Sequence, residues 1–516
     1  MLALAHAGCH RIRERSVPSA RAPQRDWDER NIGRFNVANS SFWIGNTRLS
    51  GCLVALWIAA ISGCVRNTGF ETSIRPAHLP DMPDGPISTS NEPAASFVLD
   101  GQPFCFAGTN NYYLTYKSRR MTDDVLESMK RLGLRVVRIW GNIDRGSLDG
   151  TVGNIDGAGD KDGVYFQYWN AVDKRPAYND GPSGLEHLDY VLTQARALDL
   201  KVIIVLTNNW KDFGGMDQYV LWFGLKQHDD FFTDSKARDA FKGWTAHLVN
   251  RRNSITGVPY RDDPTIFGWE LANEPRCWNG GDFDDRSKCT DTRPITTWAD
   301  EMSTYVKAID QRHLVAVGDE GFFKGGTDWG YDGADGIDHR ALLDLPHIDF
   351  GTYHLYPDTW GQSLEWSERW IERHIAAARK AGKPALLEEY GIVASRSDAG
   401  IVVDPQRREA AYARWHDIIV HRGGNGALFW MLAGRDDMRR AVPDYDHFTV
   451  YDDEHNAPFI RSFATAMTKN AQACTLYRRL TPAGSIARSP FVTTAPPPGG
   501  PSAELVSHFA FNPGAR

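Results

Sequence analysis

The 516 residues include 65 acidic and 58 basic side chains, a formal charge of −7, and are 24% charged and 42% apolar. These proportions exclude a disordered or collagen-like chain and a protein built mainly of membrane spans, and no surplus of cations is available to neutralise a phosphate backbone, so no nucleic-acid partner is expected. The 17 tryptophans are compatible with a cleft that stacks flat, partly apolar ligands such as sugars, although most rings of this kind fill cores.

From the N-terminus, residues 1–45 are Arg-rich and aperiodic and lie outside any fold. The apolar run 51–62, preceded by Arg48, is too short to span a bilayer but suits a signal-peptide core. It ends Ile61-Ser62-Gly63-Cys64, which resembles a bacterial lipobox with Ile in the usual Leu position. Cys64 is therefore a candidate lipidation site, with membrane attachment through this segment; an ordinary signal peptide or uncleaved anchor is the alternative. Residues 1–64 form an N-terminal extension and 65–94, punctuated by Pro76, Pro80, Pro83, Pro86 and Pro93, a flexible tether. The folded unit is expected over 95–475, followed by a Pro/Gly-rich tail, 476–516.

Within the folded unit, short apolar β-branched runs at 104–108, 136–140, 202–206, 266–271, 314–317, 348–353, 385–387 and 427–431 alternate with helical patterns. Those patterns, at 122–132, 185–198, 298–309, 363–381 and 406–421, carry apolar residues at three- and four-residue spacing. Alternation of this kind demands a parallel sheet, and eight strands point to a single (β/α)₈ TIM barrel. No Gly-rich phosphate fingerprint follows the first run, which disfavours a dinucleotide fold.

The insertion 141–182 carries Asp156, Asp160 and Asp162. It lacks the spacing and terminal Glu of an EF-hand and reads as a cleft-wall loop, with Tyr165, Tyr168 and Trp169 as candidate sugar contacts. Seven cysteines without a CxxC pair, and no HExxH run, give no metal site. Cys277 and Cys289 flank a Gly/Asp-rich loop as a candidate disulfide, whereas Cys105 reads as a buried thiol.

Barrel chemistry sits at the C-terminal strand ends. These ends supply Arg138, Thr207-Asn208-Asn209-Trp210, Asn273-Glu274-Pro275, Gly318-Asp319-Glu320, His354-Leu355-Tyr356, Glu388-Glu389-Tyr390 and Trp430. Carboxylates on strands four and seven are what glycosidic-bond cleavage needs, one to protonate the leaving oxygen and one to attack the anomeric carbon. Glu270 lies deeper on strand four and suits a structural ion pair. Glu388 and Glu389 are neighbours, so a regular strand points them to opposite sides and only one can face the cleft.

The segments Trp269-Glu270-Leu271-Ala272-Asn273-Glu274-Pro275, Leu386-Leu387-Glu388-Glu389-Tyr390-Gly391, Tyr353-His354-Leu355-Tyr356-Pro357 and Gly108-Thr109-Asn110-Asn111-Tyr112-Tyr113 together resemble glycoside hydrolase family five, in its endo-β-1,4-mannanase branch. The resemblance spans about 95–470 and implies Glu274 as general acid/base and Glu389 as nucleophile. Arg138 and Tyr356 would then lower the pKa of Glu389. Asn273 would hold the sugar 2-hydroxyl, His354 would orient the network, and Trp430 would floor the cleavage subsite. Asn209, Trp210 and Glu320 would bind neighbouring sugars.

The implied activity is retaining, cofactor-free hydrolysis of internal β-1,4 links in mannan, glucomannan or galactomannan by a monomeric, extracytoplasmic enzyme, secreted or anchored as a lipoprotein. Alternatives are another family-five β-glycanase acting on cellulose or xyloglucan, an exo-acting mannan hydrolase, or an inactive polysaccharide-binding lipoprotein.

Overall fold

A computed structural model describes residues 88–90, 95–156, 161–393, 405–453 and 455–469. The extension with Cys64, the tether as far as residue 87, Asp160 and the C-terminal tail lie outside the described residues.

Eight parallel strands form the central sheet: β1 (Phe106–Asn110), β2 (Val136–Trp140), β3 (Lys201–Val205), β4 (Ile266–Glu270), β5 (Leu314–Ala316), β6 (Gly351–Leu355), β7 (Ala385–Tyr390) and β8 (Gly426–Phe429). Every residue of these strands is buried, because helices cover the outer face and side chains fill the inner one. Their spatial order is β5-β4-β3-β2-β1-β8-β7-β6. The ring closes between β5 and β6, where the Asp349 N–H donates to the Val315 carbonyl at 2.8 Å and its carboxylate accepts from the Val315 N–H at 2.7 Å.

Helices follow the strands in turn: α1 (Arg119–Leu132), α2 (Glu186–Ala197), α3 (Ser235–Val249), α4 (Arg293–Ile309), α5 (His339–Leu343), α6 (Leu364–Lys380), α7 (Pro405–Arg422) and α8 (Ala457–Lys469). Ser118 caps α1 by accepting from the Met121 N–H, and Gly133 ends it at φ +77°, a left-handed position that favours glycine. Helix α8 packs back on α1, so the helical layer closes as the sheet does.

Three features depart from the sequence expectations. Ser88–Ser90, placed in the tether, is a strand paired antiparallel with Ser96–Leu99, and that pair carries Phe97 to the base of the barrel. There Phe97 meets Phe106, Phe267 and Phe350 at ring separations of 5.6, 5.1 and 5.3 Å and closes the floor. The insertion is a small three-stranded sheet of Asp144–Ser147, Gln167–Asn170 and Arg175–Tyr178. Cys105 is buried as expected but disulfide-bonded, so it is not a free thiol.

Candidate active site

Strand β2 delivers Arg138 to the barrel interior with no exposure, and the guanidinium uses all five of its donors. Nε donates to Glu270 Oε2 at 2.8 Å and Nη2 to Glu270 Oε1, while Nη2 also reaches Asn273 Oδ1 at 2.8 Å. Nη1 donates to Asn110 Oδ1 at 3.2 Å and to Glu389 Oε1 at 2.5 Å. Glu270 is thus the structural ion-pair partner that its depth on β4 suggests, and Arg138 ties β1, β2, β4 and β7 together beneath Glu389.

The second oxygen of Glu389 accepts from the Tyr356 hydroxyl at 2.6 Å. Across from it, Glu274 Oε2 accepts from the Trp210 indole N–H at 2.5 Å, and Oε1 lies 2.6 Å from His354 Nδ1. Glu274 sits just past β4 at φ +51°, a left-handed conformation uncommon for a side-chain-bearing residue. Its N–H is pinned to the Gly318 carbonyl at 2.8 Å. Oxygens of Glu274 and Glu389 and a ring nitrogen of His354 all lie within 4.8 Å of one another. That grouping has the spacing of a metal site, but the carboxylates already accept from Trp210, Tyr356 and Arg138, and Arg138 places a fixed cation beside them.

Burial pushes Glu274 above the usual carboxylate range, against Arg276, the Trp210 indole and Arg138. Burial pushes Glu389 up as well, against His354 and Arg138, with Glu274 adding to the rise and the Tyr356 hydroxyl opposing it. The expected lowering at Glu389 is therefore outweighed by loss of solvent. Burial also lowers His354, favouring the neutral ring. Glu389 then has the guanidinium and a hydroxyl to hold its anion, whereas Glu274 has only neutral groups bonded to it.

The model of the GH family 5 beta-mannosidase-like family matches residues 91–469. The chain belongs to this family. Mannan endo-1,4-beta-mannosidase A of Podospora anserina is 34% identical over 376 residues, covering 72% of this chain and 90% of the relative. Among solved structures, the endo-1,4-beta-mannanase from Rhizomucor miehei is 41% identical with a TM-score of 0.66, covering 75% of this chain and all of the other (100%). The endo-beta-1,4-mannanase from Thermotoga petrophila is also 41% identical, with a TM-score of 0.61 and coverages of 72% and 78%.

In this family-five barrel, Arg138 bonds Asn273 and Glu389, which also accepts from Tyr356, while Trp210 and His354 flank Glu274; the two groups meet where His354 Nδ1 lies 3.7 Å from Glu389 Oε2. Asn273 donates to Asn208 Oδ1 at 2.9 Å while accepting from Arg138. Trp430 stacks near Tyr112 at 6.1 Å and is held by Asp446, whose carboxylate accepts its indole N–H at 2.6 Å. Glu320 is committed to Arg276 through two 2.6 Å bonds, and the Arg276 guanidinium lies over Trp210, Trp278 and Phe322.

Asn209 needs correction as a sugar contact. It is fully buried, its carbonyl oxygen accepts from the Arg276 N–H and lies 2.9 Å from His228 Nε2, and its amide donates to the Trp278 carbonyl, so it holds the loop after β4 instead. Cys277 and Cys289 form the expected disulfide in that loop, with Cα atoms 5.4 Å apart. Trp169 packs on Phe223 at 5.5 Å, and Tyr165 lies against Tyr168 and Arg145. Asp156 accepts from the Phe213 N–H and pairs with Lys161, an arrangement unlike a calcium ligand.

Glu388 does not point away from Glu389. The register of β7 slips between Leu387, opposite Tyr353, and Glu389, opposite His354, so a bulge turns both carboxylates inward. Of the groups that sequence reasoning missed, Arg276 could have been found immediately after the Asn273-Glu274-Pro275 motif. Asp446 lies in an irregular segment without any period.

Proposed function

We propose that this chain is a retaining endo-β-1,4-mannanase that cleaves internal links of mannan, glucomannan or galactomannan, with Glu274 as acid/base and Glu389 as nucleophile. The observation that carries the reading is the approach of their carboxylate oxygens to within 4.8 Å. Inverting pairs stand about 6.5–9.5 Å apart to seat a water, and retaining pairs about 5–5.5 Å. The names of the relatives support the substrate class.

In the first step a Glu389 oxygen bonds the anomeric carbon while the Glu274 proton passes to the departing glycosidic oxygen. In the second, Glu274 takes a proton from water as that water displaces Glu389, restoring both groups. Arg138 and Tyr356 steady Glu389 as an anion before attack, and Asn273 meets the 2-hydroxyl as positive charge builds on the ring. The Cys277–Cys289 disulfide favours an oxidising, extracytoplasmic setting. Among the described residues no helix is long and apolar enough to cross a membrane.

Incubation with locust-bean gum should release short mannooligosaccharides whose new reducing ends first appear as the β-anomer by NMR. Glu274→Gln and Glu389→Gln should each lower kcat by at least about 10³-fold, the scale of losing a principal catalytic group. Initial release of the α-anomer, or full activity in both variants, would overturn the assignment.

A further inference from the structure

Beneath Glu389, the Glu388 carboxyl group lies with no exposure at a point where no hydrogen-bond donor reaches it. All five N–H groups of Arg138 are committed elsewhere, and its Nε stands 3.7 Å from Glu388 Oε1. His354 Nε2 is 3.6 Å from Oε2, beyond hydrogen-bonding distance, and itself has no partner. The charged and titratable groups around Glu388 are Arg138 from β2, Glu270 from β4, His354 from β6, and its neighbour Glu389 on β7. Asn110 of β1 meets only the Glu388 main chain, donating to its carbonyl oxygen at 2.9 Å.

The Arg138 Nε that donates to Glu270 Oε2 at 2.8 Å is also 3.7 Å from Glu388 Oε1, which sets the Glu270 carboxylate, already bound by the two-pronged face of Arg138, beside Glu388. Two carboxyl groups can bond only through a proton, and an ionised Glu388 would be a buried anion without one donor, a state that loss of solvent strongly disfavours. Three carboxylates around one guanidinium would also leave surplus negative charge in a closed site.

We propose that Glu388 is a positioning residue that carries a proton and donates it to Glu270, fixing the carboxylate that orients Arg138 toward Glu389. Burial raises Glu388 well above the usual carboxylate range, Glu270 adds to the rise, and Arg138 opposes it, which agrees with the geometry. The bulge in β7 gives this residue its place, since a regular strand would send Glu388 out of the barrel. The consequence for catalysis rests on the reading of Glu389 as nucleophile; the protonation of Glu388 does not.

The experiment uses the full chain and its Glu388→Gln and Glu388→Leu variants. Infrared difference spectra of wild type against Glu388→Gln at neutral pH should show loss of one protonated-carboxyl C=O band. In mannan hydrolysis, Glu388→Leu should lower kcat about tenfold or more, the scale of one hydrogen bond to a charged group, with KM little changed. Glu388→Gln, which can still donate to Glu270, should recover most of that loss and keep the acidic limb of its kcat/KM profile at the wild-type pH.

Absence of the infrared band difference would overturn the proposal. So would an acidic limb in Glu388→Gln displaced downward by about one pH unit, as removal of an ionised neighbour requires. Failure of Glu388→Leu to fold leaves both of these measurements decisive. If none of the chains hydrolysed mannan, the reading of the active site would fail while the infrared result still judged the proton on Glu388.

Discussion

The Tyr356 hydroxyl distinguishes two similar buried acids, donating to Glu389 and not to Glu274. Burial raises its pKa well above the ordinary phenol value, and the neighbouring Glu389 and Glu274 charges raise it further, so the O–H is retained across the working range. Its 2.6 Å bond to Glu389 therefore favours the anion and opposes the upward push of burial. In Tyr356→Phe that support disappears, the Glu389 pKa climbs further, and the protonated, inactive form persists to higher pH. If Glu389 is the nucleophile and Glu274 the acid, as proposed, the acidic limb of kcat/KM should move up while the basic limb stays. A loss of about 10–100-fold in kcat corresponds to a charged hydrogen bond of ~1.5–3 kcal/mol. A pH-rate profile with both limbs unmoved would separate Tyr356 from Glu389.

At the scale of elements, the two ends of the barrel are built differently. The upper end is polar and cross-linked through Arg138, whereas the floor is an aromatic plug in which Phe97 meets three other rings. Phe97→Ala should cost about 3–5 kcal/mol, the range for removing a buried ring without collapse of the cavity, read as a lower urea midpoint with little change in KM. The eight barrel strands were legible in the sequence because β-branched runs stood between turn residues. Phe97 was not, because Ser96–Leu99 is short and its partner strand, Ser88–Ser90, has no apolar pattern. Helix α3 escaped because Lys236, Arg238, Lys242 and Gly243 dilute its apolar stripe. The glutamates of β4 and β7 were legible through their motifs. The inward turn of Glu388 was not, because alternation along a strand presumes an unbroken register.

Across the whole molecule, buried acids and buried histidines set opposing limits on stability. Asp144, pushed up to about 8 by burial against bonds from Asn142, Gln167 and the Gly215 N–H, holds its proton in the folded chain through neutrality. Asp212, also buried, is pushed up to about 7. In the unfolded chain both carboxyls ionise near 3.8. Unfolding between those values and the folded ones therefore releases protons, and rising pH favours the unfolded state. The penalty begins above the unfolded value and is complete once pH passes the folded one. His416 acts in the other sense: burial lowers it to about 3, so below its ordinary value of 6.5 the unfolded chain takes up the extra proton. From pH 6.5 to 8 the histidine contribution is spent and the acids remain. Stability should fall over that window by about 1.4 kcal/mol per pH unit for each carboxyl that still holds its proton, read as a lower denaturation midpoint. Asp144→Asn, which cannot titrate, should flatten the decline by that carboxyl's share and leave the part due to Asp212, Glu320, Glu388 and the other raised carboxyls. Urea titrations of both chains at several pH values test this, and equal slopes would mean that Asp144 is already ionised in the folded protein.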